Sequence, residues 1–199
     1  KEVYYLGTLE DWCRINFQER IVYSSATFYI NNVLITDLVI PDNVTEISSI
    51  AFYEYDKLTS VEVGENFKSF GYKTFAYCDN LEYIHWNALN ANEFEETTSS
   101  KIRDRYYYQN RRYTYGLIAS NKASFIGSGG NNGGVNVVFG DSVERIPGYL
   151  KSLGGINIKS VSIGGNVNRI GENAFDGSTN LESVNIKDIA QWCRITYEG

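Results

Sequence analysis

Leu38-Val39-Ile40-Pro41-Asp42-Asn43-Val44-Thr45-Glu46-Ile47, followed by Ile50-Ala51-Phe52 and Leu58, is written again 23 residues later. The second version reads Val61-Glu62-Val63, Phe67, Phe70, Thr74-Phe75 and Leu81, and a third begins at Ile84-His85-Trp86. Another copy near the C-terminus runs Val161-Ser162-Ile163, Val167, Ile170, Ala174-Phe175 and Leu181 into Val184-Asn185-Ile186. Self-similarity at a fixed period of about 20–50 residues marks a solenoid, in which each unit buries its apolar side only by stacking on its neighbours.

Alternation within each copy sets the strand register. Leu38, Val61, Ile84, Val137, Val161 and Val184 are expected to stack in one inward column, with Ile40, Val63, Trp86, Phe139, Ile163 and Ile186 in another. The outward residues are then Asp37, Ser60, Tyr83, Asn136, Ser160 and Ser183, beside Val39, Glu62, His85, Val138, Ser162 and Asn185. The fold expected from this register is a single curved solenoid with one parallel sheet and short helical turns.

A Trp-Cys motif stands at both ends, as Leu9-Glu10-Asp11-Trp12-Cys13-Arg14-Ile15-Asn16-Phe17 and Ile189-Ala190-Gln191-Trp192-Cys193-Arg194-Ile195-Thr196-Tyr197. Thr8 or Asp188 can cap a short helix, and the alternating residues after it read as a strand. Asn31-Asn32 between Phe28-Tyr29-Ile30 and Val33-Leu34-Ile35 predicts a tight hairpin. The organisation expected is a single solenoid over 1–199: Trp-Cys module and hairpin over 1–37, repeats over 38–87, an irregular insertion over 88–134, repeats over 135–187, and a second module from 188. Both ends are expected to be open, so that the natural protein extends further or end-to-end contacts cover the Tyr197 edge.

These marks resemble the BspA-type leucine-rich repeat family of bacterial and protozoan surface proteins. The closest match is 161–181, with Gly171 and Ala174-Phe175 in place; Pro41, Ala51-Phe52, Gly71, Phe75 and Cys78 add to it, and the Trp-Cys modules resemble spacers between such arrays. The resemblance implies that the fold class is an α/β leucine-rich-repeat solenoid, right-handed and curved, and it implies an extracellular, cell-surface location and binding of a host or neighbouring protein. It fails over about 90–134 and carries no ligand residue across.

Composition narrows the function. The net charge of −6 opposes nucleic-acid binding, and no apolar run nears the ~20 residues that span a bilayer. His85 is the only histidine, so a Ser/His/Asp triad and a multi-histidine metal site are not expected, and no cofactor is implied. By the register His85 is an ordinary exposed strand residue. Three cysteines cannot all pair, and Cys13, Cys78 and Cys193 are expected to be buried or half-buried free thiols. The acids Glu93, Glu95 and Glu96 read as a solvated face. Asn43-Val44-Thr45 is a glycosylation sequon whose asparagine turn geometry explains equally well.

The insertion remains the candidate site. Its 127–134 stretch, Gly-Ser-Gly-Gly-Asn-Asn-Gly-Gly, reads as a flexible loop. Before it, 103–115 packs five tyrosines and four arginines, and 88–134 holds six Lys/Arg against four Asp/Glu, leaving −8 for the rest. Arg and Tyr are enriched at interface hot spots, so Arg103, Arg105, Tyr107, Arg111, Arg112 and Tyr113 are the protein-binding candidates. The blander reading is a helix or hairpin whose tyrosines pad the solenoid. The leading function is a non-enzymatic surface binding (adhesion-type) module. The alternatives are an architectural spacer with no ligand and, last, a β-helical polysaccharide-active enzyme.

Overall fold

The computed structural model describes residues 1–91, 104–108, 111–115, 124–150 and 155–199. In chain order the elements are β1 (Glu2–Tyr5), α1 (Leu9–Arg14), β2 (Thr27–Ile30), β3 (Val33–Leu34), β4 (Asp37–Val39), β5 (Glu46–Ile47), β6 (Ser60–Val63), β7 (Ser69–Phe70) and β8 (Tyr83–Trp86). They continue as β9 (Asp104–Tyr108), β10 (Arg111–Tyr115), β11 (Val135–Phe139), β12 (Arg145–Ile146), β13 (Ile158–Ile163), β14 (Arg169–Ile170), β15 (Ser183–Ile186), α2 (Ile189–Trp192) and β16 (Thr196–Tyr197). One strand per rung builds a six-stranded sheet in the order β15-β13-β11-β8-β6-β4, with every neighbour parallel.

The register follows the repeat. Leu38 pairs with Val61, Val61 and Val137 with Ile84, and Val161 with both Val137 and Val184. Val61 is 0% and Val161 1% exposed, while Glu62 is exposed and Ser162 half-buried. Val184 departs from its column at 45% exposure, because β15 is the outermost strand of the sheet among the described residues.

The single sheet expected is the principal one; the return limbs add two narrow parallel ladders, β5-β7 and β12-β14-β16. Between the limbs runs a column of rings. Phe52 stacks on Phe75 at 5.3 Å and Phe75 on Phe125 at 5.2 Å. Among the described residues, left-handed backbone recurs in two slots of the return limbs: Ile50, Lys73, Tyr149 and Asn173 in one, Glu54, Tyr77, Gly127 and Gly177 in the other. A β-branched residue at φ 56° is strained, and Ile50 is kept there by its neighbours. The N–H groups of Ile50, Phe52 and Glu54 donate to the carbonyls of Tyr72, Thr74 and Ala76 on the next rung at 3.0, 2.9 and 2.8 Å.

The glycine-rich stretch is not a loose loop. Residues 124–134 form the return limb behind β8: Phe75 and Tyr77 donate to the carbonyls of Ser124 and Ile126 at 2.7 and 2.8 Å, and Gly129 to that of Cys78 at 3.0 Å. Ser128, 1% exposed, donates to the Phe75 carbonyl. Gly129 sits at φ 71°, where a Cβ would lie 2.7 Å from Val135 Cγ2. Glycine is used here for backbone conformation and close approach, the other reason for glycine clusters.

The first Trp-Cys module folds as a capped turn of helix. Thr8 and Asp11 form a capping box on α1, which buries Trp12 and Cys13. The hairpin β2–β3 forms as expected, with Asn31 and Asn32 at φ 48° and 62°. The strand predicted after the tryptophan is absent from the first copy: Ser48 N–H takes the Cys13 carbonyl at 2.9 Å, so residues 15–17 join no ladder. In the second copy it shortens to β16, which pairs with β14. Helix α1 packs on β5, and Phe28 and Ile35 are buried beside the first rung, while β4 and β1 remain outermost strands of their sheets.

Candidate functional site

The candidate residues fall on a hairpin. Strands β9 and β10 pair antiparallel, setting Arg112 opposite Tyr107, Thr114 opposite Arg105, Tyr113 opposite Tyr106 and Arg111 opposite Tyr108. Alternate positions of a strand share a face, as do positions paired across an antiparallel ladder. Arg105, Tyr107 and Arg112 therefore share one face of the hairpin, while Arg111 and Tyr113 fall on the other with Tyr106 and Tyr108. The register brings together three of the six. Arg103 lies outside the described residues.

Beside the insertion the sheet closes without a gap, since β8 pairs directly with β11. The outward face of that sheet is largely self-satisfied. Ser60 donates to Asp37 at 2.7 Å, Ser160 to Asn136 Oδ1 at 2.6 Å, and Asn185 to Ser162 at 3.4 Å. The Ser60 hydroxyl, helped by those of Thr59 and Thr36, holds the Asp37 carboxyl below the usual range against its partial burial. At the centre His85 lies between Glu62 and Val138, half-buried rather than exposed, because its ring stacks beside Tyr83 at 5.8 Å.

A second concavity was not foreseen from the sequence. Ser24, Tyr53, Glu54, Asp56, Tyr77 and Asp79 line a cleft of about 360 Å³ on the return-limb side. Burial, then the neighbouring Asp79, raise the Asp56 pKa, with the Asp79 N–H partly opposing them. Arg20 pairs with Glu54, and Lys73 stands over the Tyr53, Tyr72 and Tyr77 rings at 5.7, 5.4 and 5.9 Å. The signal was legible: Asp56 and Asp79 are 23 residues apart, one slot in successive repeats.

Among the described residues no three His, Cys, Asp or Glu side chains gather to hold a metal ion. Cys13 and Cys78 are buried free thiols, the former pushed up to about 12 by burial and the latter raised by the same cause. Cys193 is exposed, against the expectation that all three would be covered.

The repeating rung has a counterpart among known families. Six copies of the BspA type leucine rich repeat region match residues 13–115 and 132–194, well over half of the chain. The chain belongs to that family. No curated protein matches it. A leucine rich cell surface protein from Faecalibacterium prausnitzii A2-165 is similar over 98% of this chain and 50% of its own, with 16% identity and a TM-score of 0.45. A leucine-rich repeat protein from Bacteroides ovatus ATCC 8483 is similar over 82% of this chain and 33% of its own, with 19% identity and a TM-score of 0.42. The chain thus spans half the length of the first and a third of the second.

Proposed function

We propose that this leucine-rich repeat chain is a non-enzymatic, extracellular binding module whose contact element is the β9–β10 hairpin. The observation that carries this reading is the hairpin's register, which sets Arg105, Tyr107 and Arg112 on one face in the one net-positive region of an acidic chain. Arg and Tyr give large contact area with directional hydrogen bonding, and the charge steers an acidic protein partner. The sheet's outward face supplies fewer anchors, its serines and asparagines being spent on one another. Membership of the BspA-type family supports a surface location and a host or neighbouring protein as partner. A spacer is the second reading, favoured by Trp-Cys modules at opposite ends of one array.

The test replaces Arg105, Tyr107 and Arg112 together by alanine and measures capture of surface-labelled proteins alongside the melting temperature. Lost capture at an unchanged melting temperature is the expected result. Capture that survives the triple replacement removes the hairpin from the function, and a parent chain that captures nothing favours the spacer.

A further inference from the structure

The cleft on the return-limb side is walled by three successive turns of the chain. Ser24 precedes β2; Tyr53, Glu54 and Asp56 stand in the limb after β5, and Tyr77 and Asp79 in the limb after β7. The two limbs are in contact here, since the Glu54 N–H donates to the Ala76 carbonyl at 2.8 Å. Glu54 is paired with Arg20, whose guanidinium also stands over the Tyr23 ring at 4.7 Å. Asp56 and Asp79 have no ion-pair partner among the described residues. They occupy one slot of adjacent rungs, ~4.8 Å apart by strand spacing. Burial, with the Asp79 charge added to it, raises the Asp56 carboxyl above its ordinary 3.8. Tyr53 and Tyr77 meet edge to face at 5.7 Å. These two rings already hold one ammonium, for Lys73 Nζ stands 5.7 and 5.9 Å from their centres while pairing with neither aspartate.

We infer that this cleft is a receptor for one organic cation, the alkylammonium or guanidinium group that a lysine or arginine side chain presents. The charged head goes between Asp56 and Asp79, and the methylene stem runs along Tyr53 and Tyr77. Aromatic faces attract a cation, and carboxylates hold it by charge-assisted hydrogen bonds. Two of the chain's own cations already take the neighbouring positions, Lys73 on the rings and Arg20 on Glu54, and only the aspartate pair is left without one. The volume of about 360 Å³ is at the low end of the ~300–1,000 Å³ of small-ligand pockets, which suits a single side chain rather than an extended polymer. A divalent metal is the poorer fit, because among the described residues no three ligating side chains gather. The cleft is acidic where the hairpin is basic, and it stands whether or not the hairpin binds anything.

The experiment titrates the full chain with N-acetyl-lysine methylamide, with spermidine and with uncharged N-acetyl-norleucine methylamide, reading saturation transfer to the ligand methylenes by NMR. Both amines should bind at millimolar concentration and the norleucine compound should not. Tighter binding of the lysine compound assigns the cleft to a polypeptide side chain, and tighter binding of spermidine to a free polyamine. Asp56→Asn combined with Asp79→Asn should weaken the amines on the order of tenfold, and Tyr53→Leu by about two- to fivefold. Asparagine keeps the shape and the oxygen that takes the Asp79 N–H, and it removes a like-charge pair, so the melting temperature of the double variant should not fall. Binding that survives the double replacement overturns the proposal, as does failure of both amines to bind the parent chain. Equal binding of the norleucine compound overturns it too, by reducing the cleft to an apolar groove.

Discussion

Replacing Phe75 by alanine removes the middle ring of the column that joins three rungs. Phe75 is 0% exposed, stacked on Phe52 at 5.3 Å and on Phe125 at 5.2 Å, with Phe70 edge-on at 5.7 Å. A buried Phe→Ala change costs about 3–5 kcal/mol. Ring pairs add ~0.5–1.5 kcal/mol each beyond buried area, so the upper end applies. In a chain of this length 1 kcal/mol moves the melting temperature by ~2–4 °C, which puts the loss at about 10–20 °C. Phe175 fills the same slot in the last described rung but is only half-buried. Phe175→Ala should therefore cost less than half as much. Scanning calorimetry of both variants, with circular dichroism to confirm that they fold, gives the comparison. Equal losses, or a Phe75→Ala loss below about 5 °C, would show that the ring column does not hold the rungs together.

The Lys187 ammonium donates to Asp141 Oδ1 at 2.6 Å and, with the Gly165 N–H, holds that carboxyl below its ordinary 3.8; Arg145 holds Glu198 below 4.5 in the same way. Because these folded-state values lie below the unfolded ones, the stabilisation is complete above about pH 5 and is lost as pH falls through the depressed values. Melting temperature against pH should flatten at the acid end in a Lys187→Ala, Arg145→Ala double variant. The glycine limb offers a separate test. Gly133 has φ 71° and no atom within 4 Å of a Cβ, so Gly133→Ala should cost only the left-handed penalty of about 1 kcal/mol. Gly129→Ala adds a clash with Val135 and should cost about 3 kcal/mol by urea unfolding; a flexible linker would register neither change.

The repeat, the inward columns, the Asn31-Asn32 hairpin and the capped helix are all legible in the sequence, because each is set by residues within one period or by the two-residue alternation of a strand. The acidic cleft was within reach of the same reading, since Asp56 and Asp79 share a slot. Phe125 was harder: Ser124-Phe125 and Ser128 copy the spacing of Thr74-Phe75 and Cys78, but the insertion breaks the count of 23 that would have aligned them. Which arginines share a hairpin face depended on where the turn falls, and a shift of one residue in the pairing exchanges the faces. The left-handed backbone at Ile50, Lys73 and Tyr149 has no sequence mark, because these residues gain nothing locally from it. At Ile50 and Tyr149 the conformation is imposed by hydrogen bonds to the adjacent rung, from Ile50 N–H to Tyr72 and from Tyr149 N–H to Glu172. The sequence by itself determined which side chains repeat and face inward; the stacked neighbour decided backbone conformation and burial of the glycine limb, since a rung's polar groups find their partners one turn away.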